Sequence, residues 1–160
     1  MNNSTHQLLA TQSRRFPVDA DRLWFWTANP DRYAQWFPGV VAIESLSNGP
    51  LRPGFQMRET VALVPGLHAR GNLTVRECRQ PHRLQIDGTL PLLKPTVAFV
   101  IDDVPGGAIL RWSMYTRQHN PVVARLLTIL VRPMLQRRLR KGLDHLGQLV
   151  SSEQSRSARV

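Results

Sequence analysis

The sequence predicts an α+β domain in which a curved antiparallel sheet of about six or seven strands wraps around one long C-terminal helical segment. Three observations point there. Asn120 to Val150 is by far the longest helical pattern in the chain. The residues before it fall into short runs in which apolar and polar side chains alternate with a period of two. Those runs are separated by strong turn signals, among them Pro53-Gly54, Pro65-Gly66 and Pro105-Gly106-Gly107. A helix that long beside a run of strands has to bury its apolar stripe against the sheet, and the sheet its apolar face against the helix.

Taken in order, residues 1–6 are polar and expected to fray. Leu8 to Phe16 reads as a first strand. Asp19 supplies a side-chain oxygen for a helix N-cap, and Asp21 suits the positive end of the first turn. A short helix follows with Leu23, Trp24, Trp26 and Thr27 and ends near Asn29. Pro30 is suited to open a second, which carries Tyr33 and Trp36 at i, i+3 and stops at Pro38-Gly39. Period two then takes over. Val41 and Ile43 lead a strand ending at the Ser47-Asn48-Gly49-Pro50 turn. The next places Phe55, Met57, Val61 and Leu63 on one face, and the one after it Leu67, Ala69, Gly71, Leu73 and Val75. Gln80-Pro81 breaks the pattern, which Leu84, Ile86, Gly88 and Leu90 resume. After a Pro91–Pro95 loop, Val97, Phe99 and Ile101 form one apolar face and Leu110, Trp112 and Met114 the last. The opposite faces carry Arg, Thr, Gln and Asn, as an antiparallel sheet wetted on one side requires.

The C-terminal segment holds a conflict. Val122, Val123, Leu126, Leu127, Leu130 and Met134 share one side at about 100° per residue, whereas Leu135, Leu139, Leu143, Leu146 and Val150 form a stripe on roughly the opposite side. One straight rod cannot bury both against one sheet. Pro133 lacks a backbone donor and crowds the carbonyl of Ile129. Two readings stay open: an amphipathic helix near 121–132 followed by a second near 133–150, or a single helix kinked at Pro133. Residues 151–160 read as a polar, disordered tail of a single domain spanning 1–150.

Composition bounds the function. A chain of 160 residues can bury a substantial core. No segment reaches the apolar length needed to span a bilayer, and no secretory signal is visible, so the expectation is cytoplasmic. The lone Cys78 excludes an internal disulfide and a thiolate metal cluster, and the Asn-x-Ser/Thr triplets at Asn2, Asn3 and Asn72 carry little meaning. The five histidines show no i, i+4 pairing, and Gly-x-Ser-x-Gly, P-loop and dinucleotide fingerprints are absent, so neither metal nor cofactor is expected. The net charge is +10, and Arg125, Arg132, Arg137, Arg138, Arg140 and Lys141 lie in the C-terminal segment. A solvated helix face is the preferred explanation. Nucleic acid is not expected, because the cluster has no interleaved aromatics and no accompanying DNA-binding motif.

The stretch Val18-Asp-Ala-Asp-Arg-Leu-Trp24, then Asn29-Pro-Asp-Arg-Tyr-Ala-Gln-Trp36-Phe-Pro-Gly39-Val-Val and Glu44, resembles the opening of the START-like SRPBCC superfamily. Its polyketide cyclase/dehydrase and lipid-transport group is the nearest match. Leu51-Arg-Pro-Gly54, Thr74-Val-Arg-Glu77 with Pro81 and Leu84, and Gly106-Gly107 with Leu110-x-Trp112 extend the likeness almost to Val150. The resemblance implies the helix-grip fold, with a hydrophobic cavity between the sheet and the C-terminal helix. Pro133 departs from the simple pattern.

Strand parity puts Phe55, Met57, Leu73, Ile86, Phe99, Trp112 and Met114 toward that helix, joined from the helix itself by Leu127 and Met134. Gly71 and Gly88 leave room among them. These residues serve either as the lining of a ligand cavity, with a volume on the order of 300–1,000 Å³, or as a filled core. Methionines suit an adaptable wall. Glu59 falls in phase with Phe55, Met57 and Val61 and is the chief candidate for proton transfer, since a carboxyl in an apolar cavity has its pKa raised, which suits an acid or base working near neutrality. The preferred plainer reading has Glu59 near a strand end, reaching solvent or an arginine. His82 and Thr116 are in phase too, but near strand ends, and Asp102 and Asp103 read as turn residues.

Three functions are consistent with these features. The first is binding or transport of a small hydrophobic ligand (lipid, isoprenoid or polyketide-like). The second is a cofactor-independent cyclase/dehydratase in the same cavity, using Glu59 or His82. The third is a peripheral module that places Val122, Leu126, Leu127 and Leu130, beside Arg125 and Arg132, on an anionic membrane or a partner. Homodimerisation through an exposed helix face is a further option.

Overall fold

The computed structural model describes residues 6–159, so the expected fraying of the first residues and the triplets at Asn2 and Asn3 fall outside it. The chain runs β1 (Gln7–Phe16), α1 (Ala20–Thr27), α2 (Pro30–Trp36), β2 (Val40–Ser45), β3 (Gln56–Val64), β4 (Leu67–Arg79), β5 (Arg83–Gly88), β6 (Pro95–Val104), β7 (Gly107–Thr116) and α3 (Pro121–Ser157). The seven strands make one antiparallel sheet ordered β1-β7-β6-β5-β4-β3-β2. This is the expected α+β helix-grip arrangement. The first two strands occupy the two edges, and α1 and α2 carry the chain from one edge to the other. Asp19 caps α1 as the sequence suggested, accepting a hydrogen bond from the Arg22 amide, and Pro30 opens α2 as expected, with Asn29 adding an unforeseen cap by accepting from the Asp31 amide.

Curvature comes from register shifts at Leu8/Ala10, Val40/Ala42, Ala62/Val64 and Val75/Glu77, each of which bends its strand. The shift in β2 sets which side chains are covered: Val40 turns inward, and Val41, read as leading this strand, is exposed. Leu67, expected on the apolar face of its strand, is also exposed, because it flanks the β3–β4 turn at the end of the sheet. Gly66 and Gly106 hold left-handed backbones in the tight β3–β4 and β6–β7 turns, which is the conformation glycine tolerates.

The helix α3 is continuous from Pro121 to Ser157, with Pro133 inside it. The two-helix reading is therefore set aside. Asn120 caps its start by accepting from the amides of Val122 and Val123, with Pro121 in the first turn. The two-stripe conflict is resolved by burial instead of by a break. Leu135, Leu139, Leu143, Leu146 and Val150 pack on the sheet, while Val122, Leu126, Ile129 and Leu130 face away from it. Both Pro133 and Ile129 are exposed, so water can reach the carbonyl that the proline leaves without a donor. The helix also passes beyond Val150 into the stretch read as a disordered tail. Glu153 pairs with Arg22 at 2.5 Å and accepts from the Trp26 indole at 3.1 Å, and Gln154 donates to the Pro17 carbonyl.

Candidate functional site

Between the concave face of the sheet, α2 and the middle of α3 lies a largely apolar cavity of about 120 Å³. Each side of it follows from strand parity or helix spacing. Successive inward positions of β3 supply Met57, Glu59 and Val61, and Leu73, Ile86, Val97 and Met114 come from the four strands beyond. Gly88 also borders the space, and a Cβ there would meet the Pro95 ring at 3.0 Å. On the opposite side α2 contributes Tyr33 and the following Phe37, and α3 contributes Val131, Met134, Leu135 and Arg138.

Of the nine residues expected to line a cavity, Met57, Leu73, Ile86, Met114 and Met134 do so. Phe99 and Trp112 do not, and the aromatics of α2 are the reason. Tyr33 stacks on Phe37 with ring centroids 5.1 Å apart and meets Phe99 edge-on, while Phe37 packs against Trp112 at 4.6 Å. The second short helix thus stands between those sheet aromatics and the open space, leaving them as fully buried backing. Phe55 is buried outside the cavity under the Arg52 guanidinium, and Leu127 is half-buried on α3 and does not border the cavity. Tyr33, Phe37 and Arg138 were not foreseen as lining. The i, i+3 aromatic pair in α2 was the available signal, whereas strand alternation carries no information about side chains on a helix.

Glu59 is 8% exposed and borders the cavity, so the plainer expectation, that it reaches solvent or an arginine, is corrected. Burial pushes its carboxyl up to about 7, with no hydrogen bond or neighbouring cation among the causes to offset it. Across the cavity, burial holds the Tyr33 phenol well above its ordinary value of 10, and the negative charge of Glu59 raises it further. Tyr33 is therefore a protonated hydroxyl donor at neutral pH. His82 is exposed in the turn just before β5, where its Nδ1 lies 2.9 Å from the Ile101 carbonyl, away from the cavity. Thr116 is buried and donates to the Leu93 carbonyl. Asp102 and Asp103 belong to β6 rather than to the turn, and Asp103 accepts from the Ala20 amide.

Arg138 guards one end. Its Nη2 donates to the carbonyls of Ala62 and Leu63 at 3.2 Å each, tying α3 to the end of β3. Gly39 makes this possible: it holds a φ of +94°, and a Cβ there would lie 2.8 Å from the guanidinium. Leu63 and Met134 line the cavity beside Arg138 and are also exposed, so the cavity reaches the surface between α3 and the β3–β4 hairpin. Among the described residues no three His, Cys, Asp or Glu side chains are grouped to hold a metal ion.

Residues 7–151 match the model of a family described as polyketide cyclase/dehydrase and lipid transport. The chain belongs to that family. Three solved structures share its fold. Protein NE0264 from Nitrosomonas europaea has a TM-score of 0.72 at 13% identity, over 97% of this chain and 99% of that one. TTHA0849 from Thermus thermophilus has a TM-score of 0.71 at 14% identity, over 90% and 97%. Protein Ms6760 from Mycobacterium smegmatis has a TM-score of 0.68 at 15% identity, over 89% and 90%. No curated protein matches the sequence. Family membership supports a hydrophobic ligand-binding fold, and no helix among the described residues is long and apolar enough to cross a membrane.

Proposed function

We propose that this domain binds and carries one small amphipathic molecule, a lipid, isoprenoid or polyketide-like compound, with an apolar body in the cavity and a hydrogen-bonding group against Glu59. The observation that carries this reading is the composition of the cavity wall: aliphatic, methionine and aromatic side chains, interrupted deep inside by one carboxyl without a protein partner among the described residues. A buried carboxyl that titrates near 7 donates a hydrogen bond when protonated and accepts one when ionised, and the Tyr33 hydroxyl is a second anchor. A volume of about 120 Å³ is below the range of roughly 300–1,000 Å³ usual for drug-sized ligands. The ligand is accordingly slender, or the flexible side chains of Met57, Met114 and Met134 yield to admit it. Native mass spectrometry of the purified protein, followed by extraction of the bound material, tests the reading. An apolar compound that Ile86→Trp excludes supports it; a protein that stays empty after exposure to lipid extracts refutes it.

The position of Glu59 also favours a second reading, a cofactor-independent cyclase/dehydratase in which this carboxyl moves a proton on the bound chain. Under that reading Glu59→Gln abolishes turnover while binding persists, whereas unchanged turnover removes Glu59 from the chemistry.

A further inference from the structure

The first half of α3 presents an apolar face that no part of the described chain covers. Val122 is 73% exposed, Ile129 63% and Leu130 67%, with Leu126 beside them. At about 100° per residue they fall within one arc on the outer side of the helix, opposite Ala124, Val131 and Leu135. A second apolar projection lies close by. Val64 and Leu67 are exposed on the β3–β4 hairpin, whose end is joined to α3 by the hydrogen bonds from Arg138. Between the two sit Leu63 and Met134, where the cavity meets the surface.

The charge around this face has one sign. From Asn120 to Leu143 the helix carries six cationic side chains and no Asp or Glu before Asp144, and the hairpin adds Arg70. Exposed aliphatic side chains bordered by arginines are the arrangement of a helix lying in a bilayer interface, where the apolar face enters the acyl boundary and the cations meet anionic headgroups. A second copy of this chain would bring the same cations against themselves. Nucleic acid would gain nothing from an aliphatic stripe that offers no aromatic to stack on bases.

We propose that this face docks on an anionic phospholipid bilayer, anchored by the first half of α3 and the tip of the β3–β4 hairpin. Docking sets the cavity mouth at Leu63 and Met134 against the membrane, so an apolar ligand passes between bilayer and cavity without crossing water. Ligand exchange rests on the proposed cavity function; docking does not.

The test is sedimentation of the full chain with vesicles of phosphatidylcholine alone and of phosphatidylcholine mixed with phosphatidylglycerol. The expected result is binding to the mixed vesicles only, weakening as salt rises. Partition falls by about tenfold or more in Leu126→Glu/Leu130→Glu and in Arg125→Glu/Arg132→Glu, and by a few-fold in Val64→Glu. All these side chains are exposed, so the unfolding midpoint stays unchanged. Absence of vesicle binding at low salt overturns the proposal. So does a wild-type dimer, seen by sedimentation velocity, that Leu126→Glu dissolves. Uptake of an apolar fluorophore without vesicles reads the cavity separately. Uptake without vesicle binding refutes docking alone, and vesicle binding without uptake refutes the cavity alone.

Discussion

Replacing Glu59 by Gln removes a carboxyl that the fold buries at a cost, and the cost depends on pH in a way a structural role would not. The folded-state value is raised from 4.5 to about 7 by desolvation. Well below pH 4.5 the group is protonated in both states and contributes no difference. As pH rises from about 4.5 to 7 the unfolded chain ionises first, so the unfolded state is favoured and stability falls. Above about 7 both states are ionised and the full penalty, about 3 kcal/mol at about 1.4 kcal/mol per pKa unit, is present. Urea unfolding of wild type and Glu59→Gln at pH 5 and pH 8 measures it. The advantage of the glutamine variant is expected to be about 2–3 kcal/mol larger at pH 8 than at pH 5. Taking the difference between the two pH values cancels any fixed cost of the amide in the cavity, and Tyr33 stays protonated throughout this window. A change below about 0.5 kcal/mol, or one of opposite sign, would refute the claim that Glu59 is desolvated and unpaired.

Other consequences follow from packing. A Cβ at Gly142 would meet the rigid Trp112 ring at 2.9 Å, so Gly142→Ala should destabilise by about 1–3 kcal/mol in urea unfolding despite the better helix propensity of Ala. At Gly147 the obstacle is the end of the Arg14 side chain, which can swing aside at the expense of an exposed ion pair with Asp144, so Gly147→Ala should be neutral or stabilising by up to about 1 kcal/mol. Ile86→Trp should fill the cavity and cut uptake of an apolar fluorophore by about tenfold or more while far-ultraviolet circular dichroism is unchanged. Glu153→Ala removes both the Arg22 pair and the Trp26 hydrogen bond, and should lower stability by about 1–2 kcal/mol, read as a lower urea midpoint.

The architecture was legible in the residues because it rests on local signals. Period two marks a strand with one buried face wherever the chain lies, and Asp19 and Pro30 announce helix starts by chemistry confined to one turn. The inward phase of Glu59 was readable for the same reason. Its burial was not, because strand parity says which face a side chain occupies and nothing about whether another element closes over it. That closure is the work of α2: Tyr33 and Phe37 cover Phe99 and Trp112 and complete the cavity opposite Met57 and Glu59. The opposed stripes of the last helix show the same division. Residue spacing was enough to establish that both cannot face one sheet. Which stripe is buried was settled by packing in three dimensions: the second lies on the sheet and the first stays on the surface, because the space beneath the sheet admits one face of one continuous helix.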